Sequence, residues 1–264
     1  MRIGFYPGCS LNGTSREYNE SVKVIGKALG IDWVELKDWN CCGATAAHSM
    51  NKELSLALPT RILALAEKQG FQEIVVPCAS CYNRLSVAQY ELENNEKLKD
   101  DVLTVVGLPY LGTVKVLNVL QFIEKYILDI LPDKIVRPFA HQVACYYGCL
   151  LLRPHKVLKF DRLEDPQSMD KIMSILGANP IDWAFKTECC GAGLSAHRFG
   201  WASFWKYLER CQRQRSGSCH CGLSDVSFQF GYASFYDQQA FDGTDNNTCA
   251  ICNSSVRIGY RTFS

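Results

Sequence analysis

The sequence predicts an α/β fold built from two tandem repeats, each with a small parallel sheet flanked by helices. The first observation is a Cys-Cys-Gly element that occurs twice, at residues 41–43 and 189–191. The second is a Tyr-x-Gly-Cys element that precedes each copy, at residues 6–9 and 146–149. Self-similarity at this period indicates two structural units, each holding its own cysteine cluster.

Short apolar runs alternate with helical patterns through the first repeat. Strands are predicted at residues 2–6, 32–36 and 73–77, and helices at about 14–29 and 53–69. Gly70 ends the second helix, as a C-terminal capping glycine would. This βαβαβ order implies crossover connections, hence a parallel sheet covered by helices. Loops that follow parallel strands converge on one edge, so we expect that edge to collect five cysteines: Cys9, Cys41, Cys42, Cys78 and Cys81.

The second repeat is predicted to follow a helical linker at residues 112–131 and a turn at 131–134. Its strands are expected at residues 141–145 and 181–185. We therefore predict a first domain over residues 1–132, linker included, and an incomplete second domain over 133–198.

Residues 199–264 predict an irregular tail, because helical and strand periods vanish there and neither a third strand nor a second C-x2-C pair is visible. Permitted codons for residues 221–230, read one base later, encode Val-Ala-Cys-Pro-Met-Cys-His-Ser-Ser-Leu. That resembles the first repeat around Cys78. We therefore interpret the tail as an out-of-frame translation that begins close to Arg198, with the lost cysteines at the positions of Leu223 and Val226. The Cys249-Ala-Ile-Cys252 pair is then accidental.

Composition excludes several classes of partner. A formal net charge of +1 provides no basic field for a phosphate backbone, so nucleic acid is not expected. The long apolar stretch at residues 111–131 carries charges at helical intervals, which predicts an amphipathic helix and no membrane insertion. The chain opens as a strand without an apolar leader, so we expect a cytoplasmic protein, where C-x2-C and Cys-Cys patterns favour metal or redox ligands over disulfides.

Five thiols per repeat exceed what a structural zinc ion needs, since four thiolates complete its tetrahedron. Adjacent Cys41 and Cys42 can hardly bind one small ion without strain, whereas they can bind two different irons. Iron–sulfur chemistry is therefore favoured, with a closed zinc scaffold as the alternative. Cys145 is interpreted as a small buried residue. His48 and His197, just beyond the two Cys-Cys-Gly elements, are either proton donors or, as we favour, hydrogen-bonded loop histidines.

The chain resembles the B-subunit family of heterodisulfide reductase, which has two cysteine-rich CCG domains. The resemblance covers residues 1–198 and rests on five segments: residues 6–11, 38–44, 77–85, 145–154 and 189–193. It implies one noncubane [4Fe–4S] cluster in each domain. The first cluster's ligands would be Cys9, Cys41, Cys42, Cys78 and Cys81, through which the reaction would be catalysed. Those of the second would be Cys149, Cys189 and Cys190; the missing C-x2-C puts this cluster in question.

The resemblance also implies a function and partners. The chain would reduce a disulfide such as CoM-S-S-CoB or a related thiol disulfide, with electrons from a partner iron–sulfur subunit. Its partners would be the iron–sulfur C subunit and the flavin A subunit of such a reductase. No nucleotide fingerprint is present, so no bound nucleotide is expected. Cys-Cys-Gly also occurs in the iron–sulfur components of lactate and glycolate oxidation systems, so an electron-relay role is the first alternative.

Overall fold

The computed structural model describes residues 1–13, 15–44 and 47–189, together with the backbone of residues 220–221. Its helices and small parallel sheets confirm the predicted α/β class. The chain separates into two compact units, one of residues 1–122 and 153–160, the other of residues 123–152 and the chain from 161 onward. The domain bounds proposed at residues 132 and 198 stay predictions.

The first unit alternates strands and helices, as its sequence predicts. Its elements are β1 (Arg2–Phe5), α1 (Gly8–Asn12), α2 (Arg16–Ala28), β2 (Asp32–Glu35), α3 (Ala47–Met50), α4 (Lys52–Lys68), β3 (Glu73–Val75), α5 (Ala79–Glu93), α6 (Glu96–Val106) and β4 (Lys115–Leu117). The four strands are parallel in the order β2-β1-β3-β4. The chain thus leaves β1 toward one side of the sheet and later returns to its other side. Ligand sites of open parallel sheets lie beyond the carboxyl ends of the strands at such a reversal.

The core of the first unit lies between this sheet and its helices. Ile74 and Val75 of β3 and Ile62 and Leu63 of α4 are fully buried. Gly4 allows β1 and β3 to pack closely, because a Cβ on it would lie 2.8 Å from the Ile74 Cγ2. The apolar positions of β1 and β3 therefore fix the centre of the sheet.

The second unit repeats the topology of the first on a smaller scale. The remaining elements in chain order are α7 (Val119–Tyr126), α8 (Leu131–Lys134), β5 (Gln142–Ala144), α9 (His155–Leu158), α10 (Ser168–Ile175), β6 (Asn179–Pro180) and β7 (His220–Cys221). Strands β6, β5 and β7 are parallel in that order, which matches β2-β1-β3. Of these elements, the first half of α7 and all of α9 belong to the first unit, where Asn83 Nδ2 donates to the Arg153 carbonyl at 2.7 Å.

Three predictions about the chain after residue 110 are wrong. The linker is not helical throughout, because β4 extends the sheet beside β3 before α7 begins. The predicted turn at 131–134 is the short helix α8. No strand lies at 181–185; the strand β6 comes earlier and ends at Pro180. Residues 184–187 form a turn, and the Trp183 Nε1 donates to the Cys145 carbonyl at 2.8 Å.

The expectation that the second repeat lacks a third strand is also wrong at the level of the backbone. Strand β7 pairs with β5 through Val143 with His220 and Ala144 with Cys221. The rest of the predicted irregular tail lies outside the described residues. Among the described residues, no helix has both the length and the hydropathy needed to cross a bilayer.

Close packing of α2 on β2 predicts the effect of a substitution at Gly26. A Cβ there would lie 1.9 Å from the Trp33 Nε1, which already donates to the Val22 carbonyl at 3.1 Å. We expect Gly26→Ala to lower the free energy of unfolding by about 1–3 kcal/mol through overpacking, although alanine is the better helix former. Urea denaturation measures the change. Lys27→Ala on the exposed neighbour is the control, and a Gly26→Ala protein as stable as that control would contradict the expectation.

Candidate functional site

The structure brings the five cysteines of the first repeat together at the carboxyl edge of its sheet. The Sγ atoms of Cys9 and Cys41 lie 3.7 Å apart, and those of Cys42 and Cys81 lie 3.2 Å apart. Hydrogen bonds between Cys41 and Cys42 and between Cys78 and Cys81 join these pairs. The result is one continuous chain of sulfurs, in the order Cys9, Cys41, Cys42, Cys81, Cys78. Their assignment as cluster ligands stays a prediction.

The turn after β1 brings Cys9 to the others. Gly8 has a φ of 66°, a backbone conformation that favours glycine, and begins the short helix that carries Cys9. A Cβ on Gly8 would lie 2.9 Å from the Cys81 Sγ. The glycine of the Tyr-x-Gly-Cys element therefore lets the backbone approach the sulfurs.

Cys78 occupies the N-terminal cap of α5, three residues after β3 ends. Its thiol is fully enclosed, and its pKa is lowered to about 7, first by the Cys81 thiol and then by the backbone N–H groups of Cys81 and Ser80. Unpaired amides at a helix N-terminus stabilise a thiolate. The hydroxyl of Ser10 adds a further hydrogen bond. Cys78 is thus prepared to be an anion although it is buried.

The neighbouring thiols ionise unequally, because a thiolate on one cysteine favours the protonated form of the cysteines that hydrogen-bond to it. Hydrogen bonds from Cys42 and Cys9 lower the pKa of Cys41 to about 2, and the Gly43 N–H lies 3.4 Å from its sulfur. The same contacts raise the pKa of Cys42 to about 12, with Cys41 as the first cause, and raise that of Cys9 as well. Cys81 is held protonated by Cys42 and Cys78. Only a cation that replaces these protons allows all five sulfurs to be thiolates.

Two of the five cysteines are exposed to solvent and three are buried. Cys9 and Cys41 are exposed, whereas Cys42, Cys78 and Cys81 are each only 2% exposed. Among the described residues, no group of three or more cysteine, histidine or acidic side chains surrounds the position of one metal ion. A chain of soft donors fits a polynuclear iron–sulfur cluster, in which different irons take different thiolates.

Tyr6 packs beneath the thiols as a neutral group. Its ring is fully buried, and its hydroxyl donates to the Asn40 carbonyl at 2.9 Å, directly ahead of Cys41. Burial raises its pKa, and the nearby sulfurs raise it further. The tyrosine of the motif thus ties the end of β1 to the loop that carries the cysteine pair.

Arg84 is a site residue that the sequence reasoning missed. Its charge acts on Cys42, and its Nη1 lies 2.9 Å from the His48 Nδ1. Because a guanidinium only donates hydrogen bonds, the His48 Nδ1 must accept, and burial and the Arg84 charge together lower the pKa of that histidine. This contact supports the interpretation of His48 as a hydrogen-bonded structural residue, although it lies in the short helix α3 and not in a loop. Arg84 follows Cys81 by one helical turn, a signal that was visible in the sequence.

The second repeat reproduces part of this arrangement. The Tyr146 hydroxyl donates to the Glu188 carbonyl at 2.6 Å, ahead of Cys189, just as Tyr6 does ahead of Cys41. Cys149 is half-buried and Cys189 exposed, and Cys145 is buried, as predicted. The remaining residues singled out in this repeat and the tail lie outside the described residues: Cys190, His197, Leu223, Val226, Cys249 and Cys252.

Opposite pKa shifts at two exposed thiols, Cys9 and Cys41, predict different reactivities. In the metal-free, reduced protein, Cys41 should stay a thiolate as the pH falls, whereas Cys9, with its raised pKa, should stay protonated far above neutrality. From about pH 5 to about pH 8 we therefore expect iodoacetamide to modify Cys41 faster than Cys9. Peptide mass spectrometry measures both rates in one sample. Equal rates with the same pH dependence would show that the two thiols do not share a proton.

Comparisons with known proteins agree with the two-repeat organisation. The family described as Cysteine-rich domain, CCG, matches residues 3–86 and 143–209. The second matched segment runs past residue 198, and the proposed break in the reading frame stays a prediction.

Two curated relatives belong to multi-subunit reductases. The chain is 32% identical over 191 residues to the membrane anchor subunit of the 8-methylmenaquinol:fumarate reductase of Wolinella succinogenes, covering 72% of this chain and 66% of that protein. It is 30% identical over 200 residues to the B subunit of the ferredoxin/F(420)H(2)-dependent CoB-CoM heterodisulfide reductase of Methanosarcina acetivorans, covering 73% and 65%. The chain thus spans about two thirds of the length of these relatives.

A solved structure shares the fold. The crystal structure of a hypothetical protein from Helicobacter pylori superposes with a TM-score of 0.59 and covers 78% of this chain and 38% of that one. Its sequence is 12% identical, so the likeness concerns the fold alone.

Proposed function

We propose, from the premise that this chain belongs to the cysteine-rich CCG domain family, that it is an iron–sulfur oxidoreductase subunit that reduces a disulfide. The disulfide would be CoM-S-S-CoB or a related thiol disulfide, and the electrons would come from a partner iron–sulfur protein. The observation that carries this proposal is the continuous chain of five thiols.

The five thiols would hold a noncubane [4Fe–4S] cluster, and Cys149, Cys189 and Cys190 would supply three ligands of a second one. Thiolates are the ligands that iron–sulfur clusters use, and the mutual protonation of the sulfurs without metal means that they lose protons as iron binds. When bound, the cluster would supply electrons one at a time and iron atoms that accept thiolates.

The residues of the chain would set where the substrate approaches. Cys9 and Cys41 are exposed and the other three thiols are buried, so the open side of the site is the edge formed by this pair. Arg84 interacts with Cys42, and its positive charge offsets part of the negative charge of the thiolates. Tyr6 stays neutral and adds no negative charge.

The reaction would take two electrons and two protons. The sulfur–sulfur bond of the substrate breaks, each sulfur receives one electron and one proton, and two thiols leave. The electrons come from the partner iron–sulfur protein, and water at the exposed edge can supply the protons. His48 would not be the proton source, because its Nδ1 accepts from Arg84 and its pKa is lowered.

The partners proposed are the iron–sulfur C subunit and the flavin A subunit of a heterodisulfide reductase-like complex. The relative from Methanosarcina acetivorans, named as the B subunit of such a reductase, supports this assembly. We place the complex in the cytoplasm, where cysteines stay reduced and available to iron.

A second function is favoured by one comparison. The relative from Wolinella succinogenes is named as part of a fumarate reductase, and fumarate is not a disulfide. On that precedent the chain would relay electrons within a respiratory or lactate- or glycolate-oxidising complex. An assay of the assembled complex distinguishes the two functions. Disulfide reduction that depends on the cluster favours the first function, and electron transfer without disulfide reduction favours the second. A preparation that holds only stoichiometric zinc would favour a non-enzymatic scaffold over both.

Metal content tests the cofactor. Protein purified without oxygen should contain iron and acid-labile sulfide in similar amounts. We expect Cys41→Ser to lose most of the iron of the first cluster, because a hydroxyl is a hard and weak substitute for a soft thiolate. Cys145→Ala is the control, since Cys145 is buried and not among the proposed ligands. Equal iron in both variants would remove Cys41 from the ligand set.

Restoring the reading frame tests the second cluster. A single-base change near codon 198 should replace the tail with one that carries a C-x2-C pair, and we expect the iron content to rise toward two clusters. Disulfide reduction with the partner proteins should rise with it. Gene sequencing across that codon is the control, because codons that do not permit the shifted reading would refute the frameshift outright.

A further inference from the structure

The turn that precedes the first cysteine pair is held by a single arginine from α4. The Arg61 Nη2 lies 2.6 Å from the Asp38 Oδ2, and the Nη1 donates to the Asp38 carbonyl at 2.7 Å and to the Asn40 Oδ1 at 3.0 Å. The arginine side chain is 31% exposed and that of Asp38 is 76% exposed, so the ion pair is open to water, whereas the bond to the Asn40 Oδ1 is partly buried. A planar guanidinium can make three such bonds in fixed directions, which an ammonium group cannot.

Asn40 passes this restraint to the cysteine pair. Arg61 only donates, so the amide oxygen of Asn40 must face it, and the amide nitrogen is left for the opposite side. That nitrogen donates to the Cys41 carbonyl at 2.9 Å and to the Leu58 carbonyl at 3.1 Å. Leu58 and Arg61 lie one turn apart on α4, whose Ile62 and Leu63 are fully buried. The cysteine loop is therefore fixed to a rigid core helix.

The turn adopts a backbone conformation that contacts must stabilise. Asp38 has a φ of 59°, in the left-handed region that a residue with a Cβ adopts at an energetic cost. Both its carbonyl and its carboxylate bind Arg61. Without the guanidinium, the carbonyl and the carboxylate of Asp38 lose their hydrogen-bond partner on α4, and the left-handed conformation of Asp38 is less stabilised.

The second repeat restrains the equivalent turn with the opposite charge. Lys186 precedes Cys189 by three residues, as Asp38 precedes Cys41. Its side chain is 5% exposed, and its Nζ lies 3.1 Å from the Asp165 Oδ1 and 3.3 Å from the Asp170 Oδ1. The Lys186 carbonyl accepts the Tyr147 N–H at 2.9 Å. Two repeats with different residues thus place an ion pair at the same position of the motif, solvent-exposed at Asp38 and largely buried at Lys186.

We infer that Arg61 is a positioning residue that fixes the turn ahead of the Cys41–Cys42 pair and so holds the Cys41 sulfur beside that of Cys9. It contacts neither sulfur and acts through Asp38 and Asn40. The inference deepens the proposed function. Only the cluster experiment below depends on that function, because disulfide formation between the two thiols can be measured without iron.

The test measures the effective concentration of the Cys9–Cys41 thiol pair. Reduced, metal-free protein is equilibrated with oxidised and reduced glutathione, which converts the two thiols to one disulfide and yields two reduced glutathione molecules. Peptide mass spectrometry quantifies that disulfide. For Arg61→Gln we expect an effective concentration about tenfold lower, the factor that corresponds to the loss of one charge-assisted hydrogen bond. Arg61→Lys, which keeps the charge without the fork, should give an intermediate value.

Lys68→Gln, an exposed change on the same helix, is the matched control and should leave the effective concentration unchanged. Melting temperatures accompany every variant. If Arg61→Gln does not fold, the comparison of Arg61→Lys with the control decides the question. The inference is overturned if either folded Arg61 variant has the same effective concentration as the control. It is also overturned if the control shows the same decrease in effective concentration as the Arg61 variants.

The reconstituted proteins provide the cluster readout. We expect Arg61→Gln to bind iron with an altered electron paramagnetic resonance spectrum, because the Cys41 ligand is less constrained. An unaltered spectrum in a variant that carries the cluster would count against the inference. If the wild-type chain binds no iron, the proposed function fails, and the glutathione equilibrium still decides the role of Arg61.

Discussion

The position of β1 between β2 and β3 determines where every functional group of the first unit lies. Parallel pairing on both sides of one strand forces three loops to leave the same edge of the sheet, and each of them carries cysteine. Gly4 permits the close pairing, and Gly8 permits the close approach of the next turn to Cys81. Hydrophobic burial of a few strand residues therefore assembles a polar site from segments far apart in the chain.

The same constraint creates an electrostatic problem. Five sulfurs in contact cannot all ionise, so two are poised as thiolates and three remain protonated. Arg84 is a positive charge at this site, and a helix N-terminus adds partial charge at Cys78. A site of this kind reaches its full charge only when a cation replaces the protons. That coupling suits a redox cofactor, whose gain and loss of electrons needs fixed ligands and a surrounding charge that changes little.

The two repeats share a plan and differ in its execution. Each has a tyrosine one or two residues after its first strand, and the hydroxyl of that tyrosine binds the loop ahead of the cysteines, at Asn40 in one and Glu188 in the other. The charged restraint on that loop is an arginine on a helix in the first repeat and a lysine within the loop in the second. The relatives likewise belong to reductases with different reactions. What the two repeats of this chain share is the tyrosine-anchored loop that precedes the cysteines.

The sequence by itself determined the α/β class, the internal repeat and the meeting of the five thiols, because these follow from local periodicity and from the rule that parallel strands present their loops on one edge. It did not reveal β4, whose three residues become a strand only by pairing with β3, or the end of β6 at Pro180. Arg61 and Asp38 are 23 residues apart, and no local pattern links them. The tertiary structure alone decided which charges face the thiols, since side-chain contacts across the fold depend on how the helices pack and not on the periods that form them.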